Sequence, residues 1–224
     1  MVMNFLDPRF GQSLNQKFRE KRFRFFTGLV ERVQLGRPLR ILDIGGTESY
    51  WERMGYLSRS DAQITLLNLG ETMTGSSNVK SVQGDACDLS RYRDGEFDVV
   101  FSNSVIEHLF SKENQRMMAC EAMRVGRHYF IQTPNRYFPI EPHWMFPCFQ
   151  FLPFRVRVLL TSQLSLGHFK KASSRDAAVR RVNEVRLLNE MEMKSLFPDG
   201  KVYRELFLGL TKSITMYRFP EGRQ

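Results

Sequence analysis

The sequence predicts an α/β protein with a doubly wound, mostly parallel sheet whose last strand is antiparallel, and two patterns support this. Apolar, strand-like segments alternate with helical segments between residues 39 and 135, which is typical of a parallel sheet with helices on both faces. Near the end, two strand-like segments are separated only by Gly209 and Leu210. These two strands must be antiparallel, because a parallel crossover needs a dozen or more residues.

The part of the chain before residue 136 is predicted to contain an N-terminal helix and then alternating strands and helices. The first helix covers residues 13–35, with Phe18 and Phe25 on one face and Arg22 on another, and Gly36–Pro38 end it. The next strands are predicted at residues 39–44, 63–69, 78–83, 96–103 and 127–135, and the helices between them at residues 49–59 and 104–125.

The segment after residue 135 interrupts this alternation. Residues 136–181 are rich in proline and aromatic side chains, and such a long irregular connection predicts an insertion or lid over a site. Regular structure is predicted to return with a helix over residues 189–197 and with strands over residues 201–208 and 211–219.

The chain carries a formal net charge of +9, from 33 Lys and Arg and 24 Asp and Glu residues. This excess favours an anionic partner such as nucleic acid, an anionic lipid surface or a phosphorylated substrate. It is concentrated in Lys17–Phe26 and Lys170–Arg181, which are equally consistent with two solvated helix faces. We expect a cytoplasmic protein for three reasons. The three cysteines are dispersed, no apolar run reaches about 18 residues, and no secretory signal pattern is present.

The stretch RILDIGGTESY, residues 40–50, ends a predicted buried strand with an aspartate and opens the next turn with two glycines. In an open α/β sheet, ligands bind beyond the carboxyl ends of the strands, and glycine lets the backbone approach them closely. A dinucleotide site would need a third glycine, and Glu48 would repel a pyrophosphate. The turn would tolerate a ligand with an amino group and a sulfonium, and the alternative is an ordinary strand–helix turn.

From about Leu39 to Phe219 the chain resembles class I S-adenosylmethionine-dependent methyltransferases, in the broad bacterial group often called type 11. ILDIGG is similar to the first motif of that family, LLNLGE stands at its second-strand motif, GDACDL at its third and FDVVFSNSVIEHL at its fourth. The resemblance implies a Rossmann-like, seven-stranded sheet with an antiparallel last strand, and S-adenosyl-L-methionine as cofactor. We expect one domain over residues 1–224, made of a helical cap (1–38), a cofactor-binding half (39–135), an acceptor-side lid (136–188) and a final helix with two strands (189–224).

The resemblance also implies which residues bind the cofactor. Asn68 stands where the family usually has an acidic residue for the ribose hydroxyls, and an uncharged amide makes a weaker hydrogen bond. Thr47 and Ser49 stand where the family usually has glycines, whereas Asp85 matches the residue that contacts the adenine amino group, with a turn role as its alternative. The expected cofactor contacts are Asp43, Gly45, Gly46, Thr47, Tyr50, Asn68, Leu69, Asp85, Ala86, Ser102, Asn103 and Ser104.

Histidines are the candidate catalytic residues, because methyl transfer to a hydroxyl or amine can use a base with a pKa near neutrality. His143, in the predicted lid, is the first candidate, and His108, one predicted helical turn after Ser104, is the second. A surface or capping role is the alternative for both. His128 is expected to be structural, and the sequence around His168 indicates no role.

Glu107, His108, Glu141 and His143 could also be interpreted as a metal site. Neighbouring residues on a regular helix point about 100° apart, so that Glu107 and His108 are not expected to bind one ion. The sequence analysis therefore predicts no metal.

The predicted function is S-adenosylmethionine-dependent methyl transfer, with O-methylation of a small-molecule, saccharide or lipid-linked acceptor as the first hypothesis. Lys17–Phe26 and Trp144–Arg157 are predicted to lie together over the acceptor site and to contact the inner face of a membrane. Two alternatives stay open. One is an RNA or nucleoside methyltransferase, which the basic charge favours, and the other is a non-catalytic regulator that binds the cofactor.

Overall fold

The structure, a computed structural model, describes residues 8–33, 35–70 and 72–221, and only the backbone of residues 8–15. Residues 1–7, 34, 71 and 222–224 lie outside the described residues. These include the start of the predicted helical cap, the last residue of the LLNLGE motif and the last three residues of the 189–224 segment.

The strands form one large sheet and one small hairpin. Their bounds are β1 (Leu39–Ile44), β2 (Ala62–Asn68), β3 (Val79–Gln83), β4 (Phe97–Asn103), β5 (Gly126–Pro134), β6 (Ile140–Glu141), β7 (Phe146–Pro147), β8 (Lys201–Phe207) and β9 (Leu210–Arg218). The large sheet has seven strands in the order β3-β2-β1-β4-β5-β9-β8, and β6 and β7 pair separately. Strands β1 to β5 are mutually parallel, whereas β9 is antiparallel to both β5 and β8. The predicted Rossmann-like sheet with an antiparallel last strand is confirmed.

Helices cover both faces of this sheet. They are α1 (Pro8–Val30), α2 (Glu48–Arg53), α3 (Lys112–Val125), α4 (Phe154–Gln163), α5 (Arg175–Asn183) and α6 (Glu190–Leu196). Side chains of α3 and α6 pack on one face, and side chains of α1 and α2 pack on the other. The inner strands read as continuous apolar runs because they are buried on both faces, as β4 is over its first six residues.

Two predicted helices have different bounds in the structure. Helix α1 ends at Val30, before the predicted end at residue 35. Helix α2 ends at Arg53, six residues before the predicted end, because Gly55 has a φ of +67° that no right-handed helix allows. Helix α6 matches its prediction closely, since Asn189 and Glu192 form a capping box at its start.

The predicted helix over residues 104–125 is wrong in its first third. Ser104 and Phe110 have left-handed φ values of 54° and 61°, so that a regular helix cannot run through them. A short 3-10 turn, Ile106–His108, stands in its place, and Ser111 then caps α3 by accepting a hydrogen bond from the amide of Asn114. His108 is therefore not on a helix with Ser104.

The prediction for α1 is also wrong at one residue. Arg22 was expected apart from the apolar face, but it is buried among the aromatic side chains of α1, with 7% of its surface exposed. Phe26, one turn later on α1, is fully buried against Phe101 and Phe130 of the sheet. A buried guanidinium needs ionic or hydrogen-bonding partners. The partners of Arg22 belong to the candidate functional site.

Residues 136–188 contain more regular structure than the lid prediction expected, because α4 and α5 lie within them. The two helices pack on each other and, with Trp144 and Phe149, enclose a small apolar cluster of their own. Among the helices that the structure describes, each is too short or too polar to cross a membrane.

Candidate functional site

The turn after β1 requires glycine for two separate reasons. Gly45 has a φ of +75°, and a Cβ added there would lie 2.4 Å from Cγ2 of Val105. At Gly46 the added Cβ would lie 1.7 Å from Oδ2 of Asp43, because the carboxyl group of that residue fills the space under the turn. Side chains are absent at these positions because neighbouring groups already occupy the space.

Asp43 is directed into the protein rather than toward solvent. Its side chain is 1% exposed, and its Oδ2 accepts a hydrogen bond of 2.7 Å from Nε1 of Trp51 on α2. Burial raises the pKa of Asp43 to about 8, although the bond from Trp51 acts in the opposite direction. The sequence analysis missed Trp51, for which the only signal was an aromatic residue on the first turn of the helix that follows the glycines.

The carboxyl end of β2 is joined to the same turn. Nδ2 of Asn68 donates to the carbonyl oxygen of Gly46 at 2.9 Å, so this amide supports the turn. Leu69, the next residue, is 77% exposed. Glu48 accepts hydrogen bonds from the amides of Gly75 at 3.0 Å and Ser76 at 2.8 Å, which hold its carboxylate on the loop between β2 and β3.

The remaining predicted cofactor residues lie at the ends of β3 and β4. Asp85 is exposed, and its Oδ1 accepts from the amide of Cys87 at 2.8 Å, which is a turn contact. Ser102 is buried and donates to the carbonyl oxygen of Ile44 at 3.1 Å. Asn103 donates to the hydroxyl of Tyr50 at 3.0 Å. Parallel pairing of β1, β2 and β4 brings these residues to one edge of the sheet.

A buried ionic network lies beside that edge. Arg22 donates to both carboxylate oxygens of Glu205 on β8, at 3.1 and 2.8 Å. Its Nη1 donates to the side-chain oxygens of Asn103 and Gln132, both at 2.9 Å. Ser104 also donates to the side-chain oxygen of Gln132, at 3.1 Å. The network therefore joins α1 to the ends of β4 and β5 and to β8.

The network forms the floor of a cavity of about 310 Å³. The lining includes three basic side chains, Arg19, Arg22 and Lys212, together with several apolar ones. Nζ of Lys212 lies 4.1 Å from the ring centroid of Phe18, and burial lowers the pKa of Lys212 to about 8 while Glu205 raises it. The apolar and polar remainder of the lining is Ser104, Gln132, Pro134, Asn135, Phe138, Ile140, Pro142, His143, Met145, His168, Glu205, Phe207 and Ser213.

This cavity partly agrees with the predicted acceptor site. It brings together Arg19 and Arg22 of Lys17–Phe26 with only Met145 of Trp144–Arg157. Three residues of the cavity were not predicted: Gln132, Glu205 and Lys212. For Glu205, the sequence offered one indication, an acidic residue within an otherwise strand-like segment.

The two candidate catalytic histidines contact each other. Nε2 of His143 lies 3.1 Å from Nε2 of His108, and the rings are almost perpendicular, at 89°. Nδ1 of His143 lies 2.6 Å from Oε1 of Glu141, whose other oxygen accepts from the amides of His143 and Trp144. Burial lowers the pKa of His143, but Glu141 raises it by more, so that its pKa is above the usual value. Burial and the neighbouring His143 lower the pKa of His108 to about 4.

Glu107 completes this cluster from the interior. It is fully buried, its Oε2 accepts a hydrogen bond of 3.0 Å from Thr133, and burial raises its pKa to about 7. Of the other histidines, His128 stacks on Phe219, in agreement with its expected structural role. His168 is exposed at the cavity, and its amide donates to the carbonyl oxygen of His143 at 3.0 Å.

A family model matches the part of the chain that contains the first strands of the sheet. Residues 42–128 match the model of a family described as a methyltransferase domain. No curated protein sequence matches the chain.

Solved structures share the fold over most of the chain. A SAM-dependent methyltransferase from Aquifex aeolicus has a TM-score of 0.50 and 13% identity, covering 85% of this chain and 87% of that chain. The CurJ carbon methyltransferase has a TM-score of 0.51 and 15% identity, covering 84% of this chain but only 50% of that chain. A chain from the complex of the Haloferax volcanii Trm112 methyltransferase activator with a methyltransferase has a TM-score of 0.51 and 11% identity, over 100% of both chains. At such identities the likeness concerns the fold alone.

Proposed function

We propose that the chain is a class I S-adenosylmethionine-dependent methyltransferase and that it methylates a hydroxyl group of a negatively charged small-molecule, saccharide or lipid-linked acceptor. The observation that carries the proposal is the cavity that adjoins the carboxyl ends of β4 and β5 and is lined by both basic and apolar side chains. In sheets of this kind ligands bind at the carboxyl ends of the strands.

The residues at the cofactor edge fit S-adenosylmethionine. The backbone of Gly45, the side chain of Leu69 and the carboxylate of Asp85 are all exposed there. We expect the glycine turn to receive the methionine part, Asn68 to lie near the ribose and Asp85 to accept from the adenine amino group. When bound, the cofactor supplies a methyl group that the sulfonium has already activated.

The charges of the cavity support an anionic acceptor. Arg19, Arg22 and Lys212 face it, whereas Glu205 is the single carboxylate in its described lining. The described lining therefore contains three basic side chains and one carboxylate, so that its formal charge is positive. A carboxylate or phosphate group of the acceptor would balance it.

The apolar part of the lining supports an acceptor that also has an apolar part. It consists of Phe138, Ile140, Pro142, Met145 and Phe207, with Pro134. Burying an acyl or aromatic group against them would contribute about 25 cal/mol for each Å² of apolar surface removed from water. A lipid-linked saccharide or a charged natural product combines both features.

His143 is positioned to act on the acceptor hydroxyl. Its side chain lines the cavity, its Nδ1 donates to Glu141, and its Nε2, which contacts His108, is the nitrogen that would turn to the acceptor hydroxyl. A positioned group of this kind contributes about a hundred- to ten-thousand-fold to a transfer that includes loss of a proton. His108 lies behind His143 and orients it.

The outer surface of the lid segment supports peripheral membrane contact as part of the same proposal. Phe151, Phe154 and Leu159 expose 49%, 42% and 58% of their surface, and Arg155 is exposed between them. Apolar side chains interleaved with arginine suit the interface of an anionic bilayer. Sedimentation with anionic and with neutral vesicles tests this contact.

The central experiment combines calorimetry with a methyl-transfer assay. Wild-type protein should bind S-adenosylmethionine and its demethylated product, and it should methylate hydroxylated acceptors that carry a phosphate or carboxylate in preference to neutral analogues. Arg19→Gln and Lys212→Gln should each raise the KM for the charged acceptor by about tenfold, the value of one charge-assisted hydrogen bond. Lys21→Gln, an exposed change on the same helix outside the cavity lining, should leave the KM unchanged.

Three results would contradict the proposal. Absence of cofactor binding at millimolar ligand would remove its premise. Binding without turnover on any acceptor would favour the non-catalytic regulator. Transfer to RNA or nucleosides, with an affinity that falls steeply with salt, would favour the nucleic-acid alternative.

A further inference from the structure

Two ring nitrogens face each other in the histidine cluster. Nε2 of His108 and Nε2 of His143 are 3.1 Å apart. Any one of three arrangements makes this contact favourable: a proton on the first nitrogen, a proton on the second, or a cation bound to both. The outer nitrogens of the two rings help to decide among them.

Each outer nitrogen has a neighbouring acceptor. Nδ1 of His143 donates to Glu141, which is itself buried and accepts from two backbone amides with its second oxygen. The backbone of Glu184 lies beside His108, and since Nε2 faces His143, Nδ1 is the nitrogen nearest to this acceptor. Neutral imidazoles with both Nδ1 protonated present two lone pairs to each other. A cation at this point would remove that repulsion, and the same outer contacts orient histidines that bind metals.

Glu107 provides a third and independent sign. Its Oε1 is buried, and no described residue donates a hydrogen bond to it. A buried carboxylate oxygen without a partner is costly, which indicates a ligand for it. Glu107 and His108 are neighbours in the 3-10 turn, and the ligand atoms of Glu107, His108 and His143 all lie within 4.8 Å of one another. The expectation that Glu107 and His108 could not share an ion assumed a regular helix, which is absent here.

We propose that Glu107, His108 and His143 bind one divalent cation of the zinc type, with a remaining coordination position toward the acceptor cavity. A tetrahedral zinc ion with Zn–N bonds of about 2.0–2.1 Å holds two imidazole nitrogens about 3.3–3.4 Å apart, close to their separation here. Two imidazoles and one carboxylate suit zinc, cobalt or manganese, whereas magnesium and calcium prefer oxygen ligands.

The proposal rests on the proposed function for the role of the cation, because His143 lines the cavity in which the acceptor would bind. A hydroxyl coordinated to zinc loses its proton near neutral pH. The acceptor oxygen would give its proton to solvent and form a bond to the methyl carbon. The carbon–sulfur bond would break, with its electron pair remaining on sulfur. His143 would then act as a ligand, and the cation would replace it as the group that activates the hydroxyl.

Metal binding can be measured without any acceptor. The protein, first treated with a chelator, is titrated with Co²⁺ and Zn²⁺ by calorimetry, and the Co²⁺ form is examined by visible absorption. We expect one ion per chain and the intense bands of a four- or five-coordinate cobalt site. His108→Ala, His143→Ala and Glu107→Gln should each weaken binding by more than a hundredfold, and Glu141→Gln, which removes only the orienting contact, by about 10- to 100-fold. His168→Ala, at the same cavity but outside the cluster, should bind like the wild type.

Thermal unfolding keeps the test valid if a variant is destabilised. Zinc should raise the Tm of the wild type and of His168→Ala, but not the Tm of His143→Ala. The proposal is wrong if no stoichiometric ion binds, if the His108 and His143 variants bind as well as the wild type, or if Mg²⁺ binds as tightly as Zn²⁺. Methyl transfer at full rate by chelator-treated protein that binds no ion would leave the proposed function intact and remove this inference. Ion binding with no methyl transfer to any acceptor would leave this inference intact and contradict the proposed function.

Discussion

The predicted cofactor edge and the proposed acceptor cavity lie side by side, but they are held together by different means. Around the glycine turn of the cofactor edge, contacts are short in sequence: Asp43 and Trp51 are 8 residues apart, and Asn68 and Gly46 are 22 apart. At the acceptor cavity Arg22 and Glu205 are 183 residues apart. The first region depends on a turn in which no side chain fits, and the second on buried charges that distant segments supply. Substitutions that add atoms should therefore destabilise the first region, and substitutions that remove a charge should destabilise the second.

The largest effect is expected at the buried ion pair of the acceptor cavity. Arg22→Met keeps an unbranched side chain but removes the guanidinium that pairs with the fully buried Glu205, so the free energy of unfolding should fall by about 3–5 kcal/mol. Arg116→Met is the matched control, because the Arg116–Glu113 pair is 60% and 62% exposed and contributes at most about 1 kcal/mol. Urea unfolding measures both. Equal losses in the two variants would show that burial of the Arg22 pair has no energetic consequence.

The next effect tests the glycine turn against a glycine elsewhere. Gly45 and Gly55 both have positive φ values, but a Cβ at Gly55 meets nothing within 4 Å, whereas at Gly45 it meets Val105. Gly55→Ala should lower the free energy of unfolding by about 1–2 kcal/mol, the cost of the left-handed backbone. Gly45→Ala should cost about 1–3 kcal/mol more because of the overlap, and only this variant should lose cofactor affinity.

A rescue variant separates the two causes of that loss. Gly45→Ala combined with Val105→Ala removes the overlap and leaves the backbone cost, so its additional destabilisation should fall toward that of Gly55→Ala. Unfolding curves and cofactor calorimetry on the four proteins check this. If the double variant is as unstable as Gly45→Ala alone, the side chain of Val105 is not the reason that residue 45 must be glycine.

A smaller effect concerns how stability depends on pH. Burial raises the pKa of Asp43 in β1 to about 8, so the folded chain binds more protons than the unfolded chain between about pH 4 and 8. Stability should fall as pH rises through this window, by at most about 1.4 kcal/mol per pH unit, and Asp43→Asn should remove this slope.

Asp98 in β4 is the matched opposite. Burial raises its pKa, but Arg37 and the amide of Arg40 lower it by more, so its net pKa is below the usual value. Its contribution to stability should be present above about pH 4 and be lost as pH falls below it. Asp98→Asn should therefore flatten the acid side of the curve, where Asp43→Asn has no effect. Identical pH profiles of the two variants would contradict both assignments.

The smallest effect concerns the acceptor. The pKa of Lys212 is lowered to about 8 by burial, with Glu205 acting to raise it and Arg22 and Arg19 acting to lower it further. The side chain is charged below that pH and neutral above it. Affinity for an anionic acceptor should therefore fall by up to about tenfold between pH 7 and 9, the value of one charge-assisted hydrogen bond. Lys212→Arg should keep the affinity at pH 9, and a wild-type profile in that variant would exclude Lys212 as the cause.

These differences also explain how far the site could be predicted. The residues expected at the cofactor edge do lie at the carboxyl ends of β1 to β4, since strand period and glycine turns are local patterns. The prediction of a helix through Ser104 failed, because left-handed backbone at Ser104 and Phe110 overrides the helical pattern of the segment between them. The buried position of Arg22 was not predicted because its partners come from β4, β5 and β8.

The sequence by itself determined the parallel sheet, its antiparallel closing strand, the glycine turn and the strand ends at which the predicted cofactor residues lie. Each of these follows from the periodicity of a segment or from the length and glycine content of the loop that follows it. Only the tertiary structure decided that Asp43 is buried against Trp51, that Glu205 neutralises Arg22, and that His108 and His143 meet 3.1 Å apart beside Glu107. The physical reason is that burial and Coulomb interactions depend on distance in space, so segments that are remote in sequence set the charge and the chemistry of each group.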